Sequence, residues 1–211
     1  MNTLRSSVDH LVYATPDLER GIRELEDLLG IRAISGGQHP GRGTRNALIA
    51  LGPGVYLEII GPDLDQPSPS SPRWFGIDDL DASRLVTWAA KTDDVDRVHR
   101  VAADNGIPIG EVRSGSRRRA DGVLLSWRLT EPGRDMENGI IPFFIDWGQS
   151  PHPSHSAPQG AVLVALSAEH PDDERMRRAL RVLGLDVPVT RGSHARLTAV
   201  VDGPRGRVEL R

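Results

Sequence analysis

The chain has 211 residues, of which 38% are hydrophobic and 26% are charged, and its formal net charge is −3. These values are typical of a soluble globular protein with a sizeable core, and the slightly acidic balance gives no general attraction to nucleic acid or anionic membranes. The absence of cysteine excludes disulfides, thiolate metal ligands and a cysteine nucleophile. Residues 1–7 lack an apolar signal segment, so we expect a cytoplasmic protein.

The first segment predicts a strand followed by a helix. Val8 to Ala14 is rich in apolar and β-branched residues, which favours a strand. Thr15-Pro16-Asp17 predicts a helix start with Thr15 as the cap and Pro16 at the first helical position, and Gly30 predicts its end. Apolar residues at spacings of three and four form one helical face. They are Leu18, Ile22, Leu25, Leu28 and Leu29.

Further strands are predicted downstream, and the pattern then recurs. Arg45 to Leu51 and Val55 to Ile60 read as strands, after a Gly- and Pro-rich loop that contains His39. A second pass comprises a strand at Leu85 to Lys91, a helix starting at Thr92-Asp93-Asp94, and strands at 109–113, 122–129 and 140–147. A third, shorter pass comprises a strand at 161–166, a helix at 171–184 and strands at 187–190, 196–201 and 207–210.

This internal repeat predicts an α+β fold made of βαβββ units. The units span residues 1–62, 84–148 and 160–211, with linkers at 63–83 and 149–159. A lone unit leaves one sheet face bare, so we expect the first two units to pair into a cup and the third to be appended. The third unit also leaves open a homodimer.

Three other segments carry expectations. The basic run Arg117-Arg118-Arg119 is predicted to be a solvated hairpin tip rather than a phosphate clamp. Trp74 and Phe75 either anchor the first linker to the core or cover a pocket. Metal binding by His152 and His155 in the second linker is disfavoured.

His10 and Glu58 are the candidates for chemistry. An imidazole on one strand and a carboxylate on another can meet across a sheet, and both are groups that a divalent metal accepts. Alternation places Glu58 on the face opposite Leu57 and Ile59. A carboxylate buried there needs a metal, an arginine or a proton, and a salt bridge to a nearby arginine is the structural alternative.

His39, Thr44 and Asn46 are candidate ligand-binding residues. The loop containing His39 permits close approach to a ligand, and Thr44 and Asn46 alternate with Arg45 on the next strand, so they can face the same cavity. Loop fixation by side-chain hydrogen bonds is the more ordinary explanation.

These segments resemble the vicinal oxygen chelate superfamily, and within it the glyoxalase-like domain proteins. The resemblance covers nearly the whole chain and is most specific in the first half. It rests on Val8-Asp9-His10-Leu11-Val12, the segment from Thr15 to Gly30, the segment from Gly36 to Asn46, Tyr56-Leu57-Glu58-Ile59-Ile60, Thr92-Asp93-Asp94-Val95-Asp96 and Pro142-Phe143-Phe144-Ile145.

The resemblance implies a divalent metal, such as Zn, Ni, Mn or Fe, held in the cup by residues from both units. His10 and Glu58 match two ligand positions of the first unit. In the second unit, counting back from Asp94 places Thr87, a poor ligand, where the family often has His. Aligning Gly148 with Gly61 places Ile145 opposite Glu58, and a slip of one residue would place Asp146 there.

Two functions follow from the resemblance and remain open. The first is a small-molecule enzyme of the lyase or isomerase type, with His10, Glu58 and Asp146 as metal ligands and with Glu58 and His39 as catalytic groups. The second is a metal-free protein that binds or sequesters an apolar or aromatic small molecule, with Trp74 and Trp147 among the cavity walls. No phosphate-binding glycine loop or nucleophile elbow is present.

Overall fold

The protein is described by a computed structural model that covers residues 8–118, 122–133 and 136–211. Its elements follow the order βαβββ along three successive segments. The first contains β1 (Val8–Ala14), α1 (Leu18–Leu29), β2 (Ile34–His39), β3 (Thr44–Ala50) and β4 (Tyr56–Pro62). The second contains β5 (Arg84–Lys91), α2 (Val95–Asp104), β6 (Val112–Arg118), β7 (Leu124–Thr130) and β8 (Phe143–Asp146). The third contains β9 (Val162–His170), α3 (Asp173–Val182), β10 (Val189–Arg191), β11 (Arg196–Gly203) and β12 (Gly206–Leu210).

The first two segments form one strongly curved sheet. Its eight strands have the order β2-β3-β4-β1-β5-β8-β7-β6, and the two edge strands, β2 and β6, contact each other. The sheet is therefore nearly closed, as expected for a cup. The third segment forms a separate sheet of four strands in the order β10-β9-β11-β12.

The helices α1, α2 and α3 each begin at an aspartate. Asp17, Asp94 and Asp172 accept hydrogen bonds from backbone N–H groups three residues ahead and so cap α1, α2 and α3. The prediction of Thr15 as the first cap was wrong, because the Thr15 hydroxyl instead accepts from Asp17 N. Gly30 ends α1 in the left-handed conformation, with φ of 77°, as predicted.

The apolar faces of α1 and α2 pack against the curved sheet, whereas that of α3 packs against the second sheet. Leu25 and Leu29 of α1 are fully buried, and α1 contacts β3 and β4 on one side and β11 and β12 on the other. This helix therefore joins the two sheets through a common apolar layer. Among the described residues, no helix combines the length and apolar character needed to cross a membrane.

The second strand was missed in the sequence. His39 is the last residue of β2 rather than part of a loop, because paired glycines at 36 and 37 hide the strand pattern. The linker 149–159 packs against β3 of the curved sheet. Ala50 N donates to Pro158 O, and the short 3-10 helix Pro153–His155 contacts β3.

Candidate functional site

Strand alternation creates a polar wall inside the cup. On β4, Tyr56, Glu58 and Ile60 line the cavity, whereas Leu57 and Ile59 are fully buried in the core on the other face. Residues of the first segment that line this cavity, called here the inner chamber, are mostly polar. They are His10, His39, Asn46, Tyr56, Glu58 and Ile60.

Glu58 lies at the centre of this wall. Its side chain is buried, with 7% of the residue exposed. One carboxylate oxygen, Oε1, accepts a hydrogen bond from Asn46 Nδ2, and the other, Oε2, lies 3.7 Å from His10 Nε2. Asn46 therefore fixes the orientation of the carboxylate and leaves Oε2 directed at the imidazole.

The preceding residue, Asp9, fixes the orientation of the His10 ring. Its Nδ1 lies 2.7 Å from Asp9 Oδ1, and its ring stacks on Tyr56 with centroids 4.5 Å apart. The pairing of β1 with β5 shifts register between Val8 and His10, and such irregularities turn a side chain toward an otherwise wrong face. Adjacent residues thus contribute to one site, with Nδ1 donating to Asp9 and Nε2 facing Glu58.

Asp9 is almost completely buried, and it is a site residue that the sequence reasoning missed. It accepts hydrogen bonds from Trp147 Nε1 at 3.1 Å and from His152 Nε2 at 3.1 Å. Burial alone raises the pKa of Asp9, but the hydrogen bonds and charges of His10 and His152 outweigh it and hold this pKa well below its usual value. Asp9 is therefore a stable buried carboxylate.

His39 closes the other side of Glu58. Its Nε2 lies 3.9 Å from Glu58 Oε1 and 3.4 Å from Asn46 Nδ2, and its Nδ1 lies 3.0 Å from Thr44 Oγ1. Burial lowers the pKa of His39, and the negative charge of Glu58 opposes this shift only in part. A neutral ring that donates from Nδ1 to Thr44 and accepts from Asn46 satisfies these contacts.

The predicted ligand-binding residues fall into two groups. Asn46, Trp74 and Trp147 line the inner chamber together with His39, whereas Thr44 is fully buried behind His39 and does not line it. Phe75 also lines the chamber, so this part of the first linker covers a pocket as well as packing on the core.

The wall supplied by the second segment is mostly apolar. It consists of Arg117, Trp127, Leu129, Pro132, Phe143, Ile145 and Trp147. Arg117 is buried, with 6% exposed, so the prediction of a solvated hairpin tip was wrong at this position; Arg119 lies outside the described residues. The other residues of β6 are exposed or partly exposed.

Ladder register allows the two halves of the sheet to be compared position by position. Asp17 and Asp94 cap the corresponding helices, and His10 and Thr87 each lie seven residues before them. The β1–β5 ladder agrees with this equivalence, since it pairs His10 with Ala89 and Val12 with Thr87. Val12 pairs with Glu58 as Ala89 pairs with Phe143, which makes Glu58 and Phe143 equivalent. This register corrects the alignment of Gly148 with Gly61, which placed Ile145 opposite Glu58.

Asp146 faces away from the inner chamber. It follows Ile145 on β8 and therefore lies on the other face of the sheet, where its Oδ1 accepts from Gly148 N. It also pairs across the ladder with Arg128. The expectation that Asp146 joins His10 and Glu58 is therefore not met by its position.

A family model described as "Glyoxalase-like domain" matches residues 8–184. The chain belongs to this glyoxalase-like domain family. Its curved sheet of eight strands is the glyoxalase-type arrangement that the family implies.

Several solved structures are similar to this chain. A hypothetical protein from Staphylococcus aureus covers 96% of this chain and 83% of its own length, with 16% identity and a TM-score of 0.63. A methylmalonyl-CoA epimerase in complex with methylmalonyl-CoA and NH4+ covers 70% and 99%, with 19% identity and a TM-score of 0.49. The methylmalonyl-CoA epimerase from Mycobacterium tuberculosis covers 69% and 89%, with 19% identity and a TM-score of 0.42. The likeness to the Staphylococcus aureus protein shows the fold alone. No curated protein matches the chain.

The donor set of this family member does not fit a divalent metal. Of the four equivalent positions, Thr87 supplies a weak neutral ligand and Phe143 supplies none. The guanidinium of Arg117 adds a positive charge to the same cavity, which opposes a second cation. Within the described residues, no group of three or more His, Asp or Glu side chains is arranged to hold a metal ion.

The inner chamber is small and communicates with a larger space. Its volume is about 40 Å³, whereas an adjoining outer chamber has about 380 Å³. The two share four lining residues, which are His39, Trp74, Trp127 and Leu129. Arg42 lies over the Trp74 ring at 4.5 Å and forms a salt bridge with Glu131 at the rim of the outer chamber.

Proposed function

We propose that the protein is a small-molecule enzyme of the lyase or isomerase type that transfers a proton at a carbon next to a carbonyl group. Glu58 is the base, and the observation that carries the proposal is its buried carboxylate between two histidines inside the cup. Membership of the glyoxalase-like domain family supports an enzyme of this size and architecture.

The reactive atom of the base is Glu58 Oε2. Asn46 engages Oε1, so Oε2 is the oxygen that remains directed into the space beside His10. The proton taken from the substrate carbon would reside on Oε2 before its return to carbon or transfer to His10.

His10 and His39 have different roles in this scheme. Asp9 orients His10 so that Nε2 faces Glu58, which suits His10 for exchanging a proton with the carboxylate. His39 is kept neutral by burial and fixes Asn46, and through Asn46 it fixes Glu58. The oxygen of the substrate carbonyl gains negative charge as the proton leaves, and Arg117 supplies positive charge in the same cavity.

The test is hydrogen exchange into deuterated water. A panel of small aldehydes, ketones and 2-oxo acids would be incubated with the protein in D2O, and loss of the carbon-bound proton would be followed by 1H NMR. Glu58→Gln keeps the shape and the contact with Asn46 but removes the base, and we expect exchange to fall by about 10²–10⁴-fold.

Asp146→Asn is the matched control, because it removes a carboxylate on the opposite face of the same sheet. It should keep the wild-type rate. Equal rates for wild type and Glu58→Gln, or an equal loss in both variants, would refute Glu58 as the base.

A metal-free binding protein is the second candidate function. It is favoured by the apolar wall that Trp127, Phe143 and Trp147 present to the cup. A ligand that quenches the tryptophan fluorescence, exchanges no hydrogen and is recovered unchanged would favour binding over catalysis. Tight binding by Glu58→Gln of a ligand that wild type does not transform would give the same conclusion.

A further inference from the structure

Arg117 is an unusual residue for its strand. It is the one buried position of β6. Its guanidinium extends from this edge strand toward β2, the other edge strand of the curved sheet. A Cβ atom at Gly37 would lie 3.3 Å from Arg117 Nη1, and Gly37 has φ of 134°, a conformation that favours glycine. The glycine therefore leaves the room that the guanidinium occupies.

The charge of Arg117 acts on residues of the polar wall of the inner chamber. It lowers the pKa of His39 and opposes the increase that burial causes at Tyr56, so it lies within electrostatic range of both. An arginine remains charged at all physiological pH values, and its planar fork matches a carboxylate in a bidentate manner. The inner chamber therefore contains a fixed cation beside the proposed base.

The two chambers impose a shape on a ligand. The inner chamber, at about 40 Å³, has room for a small polar head group, because one water molecule occupies about 30 Å³ in the liquid. The outer chamber has about 380 Å³, and the indole rings of Trp74 and Trp127 line both chambers. Indole faces favour flat apolar groups.

We propose that the substrates are small carboxylates with a flat apolar or aromatic body, whose carboxylate pairs with Arg117 while the body lies between Trp74 and Trp127. This inference rests on the proposed function only in taking the cup as the active site. It names the substrate class and assigns Arg117 as the residue that selects for it.

The experiment compares two probes of nearly equal shape, phenylacetate and phenylacetamide, by quenching of intrinsic fluorescence at low salt. Three of the four tryptophans, Trp74, Trp127 and Trp147, line the inner chamber, so binding is reported directly. We expect wild type to bind the acid at least about 10-fold more tightly than the amide, since charge-assisted pairs are the stronger ones.

Arg117→Met should reduce this preference to about one, and Arg117→Lys should keep part of it through charge alone. Arg128→Met is the matched control. Arg128 lies on the neighbouring strand, is exposed and pairs with Asp96, so its loss removes the same charge outside the cup. This variant should keep the full preference for the acid.

Equal affinities for acid and amide in wild type would overturn the inference, and so would an unresponsive spectrum with both probes. An equal loss in Arg117→Met and Arg128→Met would also overturn it, because the effect would then be one of net charge. If Arg117→Met does not fold, the ratio of the affinities for acid and amide in wild type and in Arg117→Lys decides the test. Acid selectivity without hydrogen exchange would leave this inference standing and count against the proposed proton transfer.

Discussion

Asp9 and His152 are separated by 143 positions in the chain, yet the His152 Nε2 atom lies 3.1 Å from Asp9 Oδ2. His152 Nδ1 accepts from the backbone N–H of Ser154, so Nε2 carries the proton and donates it to the carboxylate. Asp9 in turn accepts from His10. His152, in the segment after β8, therefore helps to hold Asp9 in place, and Asp9 in turn orients the imidazole of His10 on β1.

Replacing Asp9 by Asn should destabilise the protein. The amide keeps the shape but loses the charge that accepts from His10, His152 and Trp147, and hydrogen bonds to charged groups contribute about 1.5–3 kcal/mol. The pKa of Asp9 is depressed in the folded state. The stabilisation that the charged Asp9 side chain provides is therefore fully present above its ordinary pKa of 3.8, and it is lost only as the pH falls toward the pKa of the folded state. The free energy of unfolding from urea titrations at pH 7 would measure the loss.

Asp186→Asn is the control for this change, since Asp186 is exposed. Its free energy of unfolding should stay within about 0.5 kcal/mol of wild type. A stability of Asp9→Asn equal to that of Asp186→Asn would contradict the supporting role of Asp9.

The lowered pKa of His39 predicts a pH dependence of stability. Below its ordinary value of 6.5 the unfolded chain binds a proton that the folded protein does not, so stability decreases as the pH falls from 6.5 toward the folded value. The slope for one proton is at most about 1.4 kcal/mol per pH unit. His39→Gln should lose this component, which unfolding titrations at pH 7.5 and 5.5 would show. His194→Gln, at an exposed site, should retain it; an unchanged pH slope in His39→Gln would exclude the effect.

Gly36→Ala should disturb Glu58 from a distance. A Cβ atom at Gly36 would lie 2.2 Å from Asn46 Oδ1 and 3.1 Å from a Leu48 side-chain atom, so Asn46 must move and release Glu58 Oε1. We expect a loss of about 1–3 kcal/mol in the free energy of unfolding together with slower hydrogen exchange of any substrate found. Gly133→Ala, where Met136 at 3.6 Å is the one described residue that the added atom would meet, should change neither. Exchange at the wild-type rate in Gly36→Ala would show that Asn46 does not position the base.

Metal removal should leave the protein unaffected. Because Thr87 and Phe143 stand at two of the four equivalent positions, treatment with EDTA followed by dialysis should change neither the melting temperature nor hydrogen exchange. Elemental analysis of protein purified without chelator checks the same point. Stoichiometric metal that is retained by wild type and lost in His10→Ala would reverse this prediction.

The sequence by itself determined the α+β class, most of the strands and helices, and the family. Alternation along β4 also placed Glu58 on the face opposite Leu57 and Ile59, because a strand has a side-chain period of two. These features depend on local patterns of apolar residues, caps and glycines, which survive without knowledge of the partners of each strand.

The tertiary structure alone decided which groups share the cup. The equivalence of Glu58 and Phe143 depends on ladder register, and the sequence does not specify register across a loop of variable length. The contacts of Asp9 with His152, and of Arg117 with the space beside Gly37, join residues far apart in the chain. Such contacts arise only when the curved sheet closes, because closure brings β6 against β2 and the segment after β8 against β1.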